Sequence, residues 1–399
     1  MDKLAIYGGK PVLEQKVGYG RQYIDDADIQ AVVDVLKSDY LTCGPKIDDA
    51  EAKLCEITGA KHAVLLANGT AALHAACFAA GVGPGDEVIT TPVTFAASAN
   101  CVLYCGGRPV FADINPETYN IDPVSVEKCI TDKTRAIIAV DFTGQAAELT
   151  KLRDICDKYD LKLIEDAAHS LGTRYNGKPV GAIADLTEFS FHPVKTCTAG
   201  EGGAVTMNDD DLYRKVILFR THGITRNPGW MDQDCEGGWY YQQIALGYNY
   251  RMTDIQAALL SSQLDKLGMF AKRRKELVKR YDEAFSQIPE VTIQKEIAES
   301  STVRHLYILQ FNLEKMKGTR RDCFEALQSE GVGVNVHYIP TYLFPYYRQL
   351  GYRVGTCPNA ERLYERMVSI PLYYGLTNEQ QDKIIEAVKK VIRHYKKGA

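Results

Sequence analysis

The spacing of hydrophobic positions along this chain switches repeatedly between two periods. Short apolar runs of strand length occur at His62–Ala67, Glu87–Thr90, Pro109–Ala112, Arg135–Val140, Leu161–Glu165, Leu186–Phe191 and Gly203–Met207. Between them, apolar residues return every three or four positions, the repeat of a helix face. Ile29, Val32, Val33 and Leu36 do so behind an N-cap at Asp25 or Asp26, and Thr70–Ala80, Phe95–Tyr104 and Ala147–Tyr159 follow the same rule. Strands that are apolar on both faces must be covered on both faces, so the alternation predicts an α/β fold with a mostly parallel central sheet between helices. A long helical stretch from Thr253 to Gln287 carries Lys272-Arg273-Arg274-Lys275, a run that reads as a solvated face. Past Pro289 the pattern changes. Arg304–Phe311 and Gly333–Val336 read as strands, and Thr319–Glu330, Pro358–Met367 and Asn378–His394 as helices. The expected organisation is an extended arm over residues 1–24, a large domain over 25–265, and a connecting helix with a small α+β C-terminal domain over 266–399.

Composition narrows the possible classes. Forty-seven Lys and Arg stand against 51 Asp and Glu, so the basic footprint of a nucleic-acid binder is missing. The uncharged stretches His62–Gly85 and Val88–Gly107 are broken by Asn, Thr, Pro or Gly, which suits buried elements better than membrane spans. There are eleven cysteines with no CxxC pair, and Met1-Asp2-Lys3-Leu4 is not an apolar leader. The expectation is a cytoplasmic protein with reduced thiols and no metal.

Three local patterns carry chemistry. Leu163-Ile164-Glu165-Asp166-Ala167-Ala168-His169 ends an apolar run in acids, which puts Asp166 at the carboxyl end of a strand, the edge where open α/β sheets bind ligands. Phe189-Ser190-Phe191-His192-Pro193-Val194-Lys195, before Gly200-Glu201-Gly202-Gly203, holds a lysine among apolar neighbours. Desolvation there favours the neutral, nucleophilic amine. Asn68-Gly69-Thr70-Ala71-Ala72-Leu73 lies between a strand and a helix, where backbone N–H groups hold an anion. The turn lacks GxxxxGK[ST], and no GxGxxG occupies a strand–helix junction. An anion cup, an acid and an amine together suggest pyridoxal 5′-phosphate (PLP), with Phe95 available to stack on its ring.

With these motifs, Gly44-Pro45-Lys46 and Asn249-Tyr250-Arg251-Met252-Thr253-Asp254, the chain resembles the DegT/DnrJ/EryC1/StrS family of sugar aminotransferases over almost its whole length. The resemblance implies the type I fold of PLP-dependent transferases, like that of aspartate aminotransferase. It implies that Lys195 is the catalytic amine, that Asp166 pairs with the ring nitrogen, and that His169 lies by the ring. Gly69, Thr70 and Ser190 would hold the phosphate, joined by Asn249 from the second subunit of a homodimer. Gly20-Arg21-Gln22-Tyr23-Ile24-Asp25, Thr221–Arg226 and Val336–Pro340 resemble one branch, the transaminases that aminate UDP-linked 4-keto-sugars on the way to pseudaminic acid. Cys197-Thr198-Ala199 departs from that branch. Tyr19, Gln22, Arg226, Arg251 and His337 are the substrate contacts this implies, with L-glutamate as amino donor. A dTDP- or GDP-linked sugar, or a regulatory homologue without catalysis, is the alternative.

Overall fold

The structure, a computed structural model, describes residues 3–398. Seven strands form the central sheet in the order His62–Leu66, Gly203–Met207, Leu186–Ser190, Lys162–Asp166, Thr134–Val140, Glu87–Thr90, Arg108–Phe111. From Leu186–Ser190 onward every neighbouring pair is parallel, whereas Gly203–Met207 runs antiparallel to both its neighbours. The two-residue strand period sorts side chains onto two faces. Val64, Leu66, Ile138, Ile164 and Leu186 pack with helices Gly69–Ala79 and Asp210–Arg220. Ala63, Leu65, Ile137, Leu163 and Phe189 pack with helices Pro45–Thr58, Leu149–Tyr159 and Asp254–Leu264. Asp166, Glu188 and Ser190 continue the first set, so the same parity that builds the core aims all three beneath helix Gly69–Ala79.

That helix is almost entirely buried. Its Ala-rich face lets it lie close on the sheet. Gly203 serves the same close approach, because a Cβ there would sit 2.5 Å from the Asn68 backbone.

A second, antiparallel sheet of Val291–Ile293, Tyr307–Phe311 and Met367–Ile370 packs with helices Leu267–Phe285, Arg320–Ser329 and Asn378–Tyr395. Leu4, Leu13 and Val17 of the N-terminal segment are buried in that same cluster.

The structure corrects several expectations from periodicity. The stretch from Thr253 to Gln287 is two helices, Asp254–Leu264 and Leu267–Phe285. They break at Lys266, whose ammonium is tied to Asp25 and Asp28 at 2.5 and 2.8 Å. Arg274 is not on a solvated face. It lies on the buried stripe with Phe270, Leu277 and Tyr281, and its guanidinium donates to the carbonyls of Arg304, His305 and Leu372. Gly333–Val336 is not a strand, since Gly333 N–H goes to the Val17 carbonyl and Asn335 N–H to that of Ser369, two partners that share no ladder. Helices Pro45–Thr58, Pro123–Cys129 and Asp210–Arg220 are additional to the pattern read from sequence.

Candidate active site

A cavity of about 720 Å³ opens at the carboxyl ends of the parallel strands, where their loops meet His305, His337 and Tyr338 from the smaller sheet's side of the molecule. Asp166 ends its strand and is buried. Its carboxylate accepts from Ser98 Oγ at 2.6 Å and from Ala168 N–H at 3.2 Å, and Thr94 Oγ1 lies 2.6 Å behind Ser98 Oγ.

Lys195 follows strand Leu186–Ser190 and lines the cavity. Part of its surface faces the cavity, yet the walls strip its ammonium of water. Burial lowers its pKa, against the opposing pull of Asp166 and Glu188.

Helix Gly69–Ala79 points its N-terminus at the same space. Asn68 caps it through Ala71 N–H at 2.9 Å, and Ala72 N–H bonds the Asn68 carbonyl. The N–H groups of Gly69 and Thr70 stay outside the helical ladder, and the helix dipole adds positive character there. The Ser190 hydroxyl is close by, since a Cβ on Gly69 would lie 3.1 Å from its Oγ.

Three buried imidazoles form one wall. His169 Nε2 is 3.2 Å from Tyr338 Oη, and its ring centroid is 4.5 Å from that of His305. The pKa of His169 is held far below its ordinary value by burial, with Lys195 and His337 adding to the effect. His337 is pushed down to about 4 by burial and then by Lys195. Its Nε2 accepts from the Asn335 amide at 3.3 Å, so Nδ1 carries the hydrogen and donates to Ser369 Oγ at 2.8 Å. Three wall residues carry buried atoms that no donor or acceptor hydrogen bond satisfies among the described residues: His169 and His305 at Nδ1, and Glu188 at both carboxyl oxygens, which accept from no donor.

The cavity therefore gathers Lys195, Asp166, His169, Gly69, Thr70, Ser190, Phe95, Tyr19 and His337 from the residues singled out in the sequence. Phe95 is 62% exposed, and both His337 nitrogens are engaged within the protein. Gln22, Arg226, Arg251 and Asn249 are not on the cavity wall. Gln22 is exposed, and the Arg226 guanidinium lies 5.3 Å over the Tyr241 ring. Arg251 bridges Leu66, and exposed Asn249 bridges Thr221, so this segment runs along the sheet edge with Asn249 facing outward.

Sequence reading missed Ser98, Glu188, His305 and Tyr338. Only Glu188 carried a signal, a charge inside the apolar strand Leu186–Ser190. The others reach the cavity through the fold.

A model of the DegT/DnrJ/EryC1/StrS aminotransferase family matches residues 22–389. The chain is 39% identical to the spore coat polysaccharide biosynthesis protein SpsC of Bacillus subtilis, over 94% of this chain and 97% of that protein. It is 38% identical to the UDP-4-amino-4,6-dideoxy-N-acetyl-beta-L-altrosamine transaminase of Campylobacter jejuni, over 96% of this chain and 99% of the relative. Among solved structures it superposes on the PLP-form of Spr1654 from Streptococcus pneumoniae with a TM-score of 0.88 at 32% identity, covering 95% of this chain and 99% of the other.

Proposed function

Because the chain belongs to the DegT/DnrJ/EryC1/StrS aminotransferase family, we propose that it moves an amino group from L-glutamate to a nucleotide-linked keto-sugar, with PLP as the carrier. The observation that carries this reading is the meeting of a desolvated amine, a buried carboxylate and a free helix N-terminus in one cavity.

The residues fit the cofactor. The Gly69 and Thr70 N–H groups with Ser190 Oγ suit a phosphate. Asp166, fixed by two donors, suits a protonated pyridine nitrogen. His169 Nδ1, buried without a partner, is an orphan that a polar ring substituent satisfies. When bound, PLP supplies an electron sink for the carbon that gives up its proton. The protein supplies the rest. Lys195 Nζ, neutral through desolvation, would hold the cofactor at its aldehyde carbon with loss of water. Once freed by the substrate amine, it would carry a proton from the substrate carbon to the cofactor carbon two atoms away, across the intervening nitrogen. Burial keeps His169 and His337 neutral, so neither adds a competing cation beside Lys195.

The acceptor in this reading is a UDP-linked 2-acetamido-2,6-dideoxy-4-keto-hexose of the L-arabino configuration, aminated at carbon 4. Support comes from the Thr221–Arg226 and Val336–Pro340 motifs and from the named activity of the Campylobacter relative. Asn249 serves the site of a second copy, in keeping with its exposed place on the sheet edge. A coupled assay with glutamate and UDP-, dTDP- and GDP-linked 4-keto-sugars tests the reading. Preferential turnover of the UDP sugar is expected. Faster turnover of a dTDP or GDP sugar overturns the acceptor, and no turnover of any overturns the reading.

A further inference from the structure

Asp166 and Glu188 are register partners on adjacent parallel strands and point to the same face. Such strands lie about 4.8 Å apart, so the two carboxyl groups share one dry pocket floor. Their surroundings differ. Asp166 accepts from Ser98 Oγ and Ala168 N–H, and with the Ser98 hydrogen committed to Asp166, Thr94 donates to Ser98 in turn. Glu188 is 1% exposed, and neither of its oxygens accepts a hydrogen bond from any donor among the described residues. The ionisable groups that face Glu188 are Asp166, Lys195 and Cys101, and it makes no hydrogen bond to Lys195, the cation among them.

Two carboxylates side by side in a dry site do not both ionise; the better-donated one keeps the charge. We propose that Asp166 and Glu188 form a carboxyl pair sharing one proton, with the charge held on Asp166 by Ser98 and the proton held on Glu188. Burial, with the Asp166 charge next, drives the Glu188 pKa well upward, in line with this assignment. The consequence for the site rests on the PLP reading. The floor offers the ring nitrogen a single anion, and a second charge that would compete for it, or pair with Lys195 and hold it protonated, is removed. Ser98 and Glu188 are thus positioning residues that act through Asp166 and Lys195.

The infrared difference spectrum between wild type and Glu188→Gln, both loaded with PLP at neutral pH, tests the pair. A protonated-carboxyl C=O stretch that shifts in deuterium oxide and is lost in the variant is expected; a difference confined to carboxylate bands overturns the proposal. Ser98→Ala provides a second test that does not need the glutamine variant to fold. Titrating PLP into cofactor-free protein should show a dissociation constant roughly ten- to a hundredfold above wild type, the effect of one hydrogen bond to a charged group. An unchanged constant overturns the role given to Ser98. Failure of wild type to bind PLP would instead sink the cofactor reading, while the infrared band of the cofactor-free protein would still decide the carboxyl pair.

Discussion

Lys195 is given two tasks, nucleophile and proton carrier, and its substitutions separate chemistry from folding. Lys195→Ala is expected to lower kcat by at least roughly ten-thousandfold, because positioned proton transfer alone contributes on the order of a hundred- to ten-thousandfold. Lys195→Arg should fail as badly, since a guanidinium stays charged. Steady-state kinetics on both variants, with circular dichroism to show that they fold, checks this. The imidazoles lead to a pH prediction. A histidine whose folded pKa is depressed binds its proton more readily when unfolded, so its contribution to stability is present above about 6.5 and is lost as pH falls. For His337 the window runs from 6.5 down to about 4. Urea midpoints across that range should fall with pH, and the fall should be shallower in His337→Asn by up to one proton; an equal slope would refute it. Lys195 and Asp166 were legible in the sequence because a strand end and a glycine turn are local patterns. His305, Tyr338 and Ser98 were not, since what places them is the packing of distant segments rather than anything in their neighbours.

Helix Gly69–Ala79 depends on having no side chain at its first residue. A Cβ on Gly69 would meet Glu188 Oε1 at 2.6 Å and Ser190 Cβ at 3.0 Å, both on the strand beneath. Gly69→Ala should therefore weaken PLP binding, read as a raised dissociation constant, while Asn68→Ala should cost about 1 kcal/mol of stability through the lost cap. Helix Leu267–Phe285 is held by Arg274 in a comparable way. Arg274→Leu strands three buried carbonyls and should lower the unfolding free energy by about 2–4 kcal/mol in denaturant titrations. Charge counting hid this role, because Lys272-Arg273-Arg274-Lys275 looks uniform in sequence. The helical period does reveal it, since Arg274 is four residues from Phe270 and three from Leu277. The central strands were legible to within a residue or two, as their apolar runs are long and bounded. The break at Lys266 was not, because it depends on a tertiary tie to Asp25 and Asp28.

At the scale of the molecule, the fold places one cavity where the strands of the large sheet end and the smaller sheet's segments close over them. No helix among the described residues is long and apolar enough to cross a membrane, and no group of His, Cys, Asp or Glu among them is arranged to hold a metal. The segment that leads into Asn249 also holds Trp239 and Leu246, 73% and 78% exposed, with exposed Tyr241 and Tyr248. Large apolar side chains left exposed in one short segment suit an interaction face. Sedimentation should show a homodimer, and Leu246→Asp should shift it toward monomer with loss of activity; a fully active monomer would contradict the shared site. In this site Lys195 is the amine proposed to take up the cofactor. Borohydride reduction of the PLP-loaded protein, followed by peptide mapping, tests it most directly. A pyridoxyl label is expected on the peptide that contains Lys195, and a label on any other lysine, or none, would contradict this role.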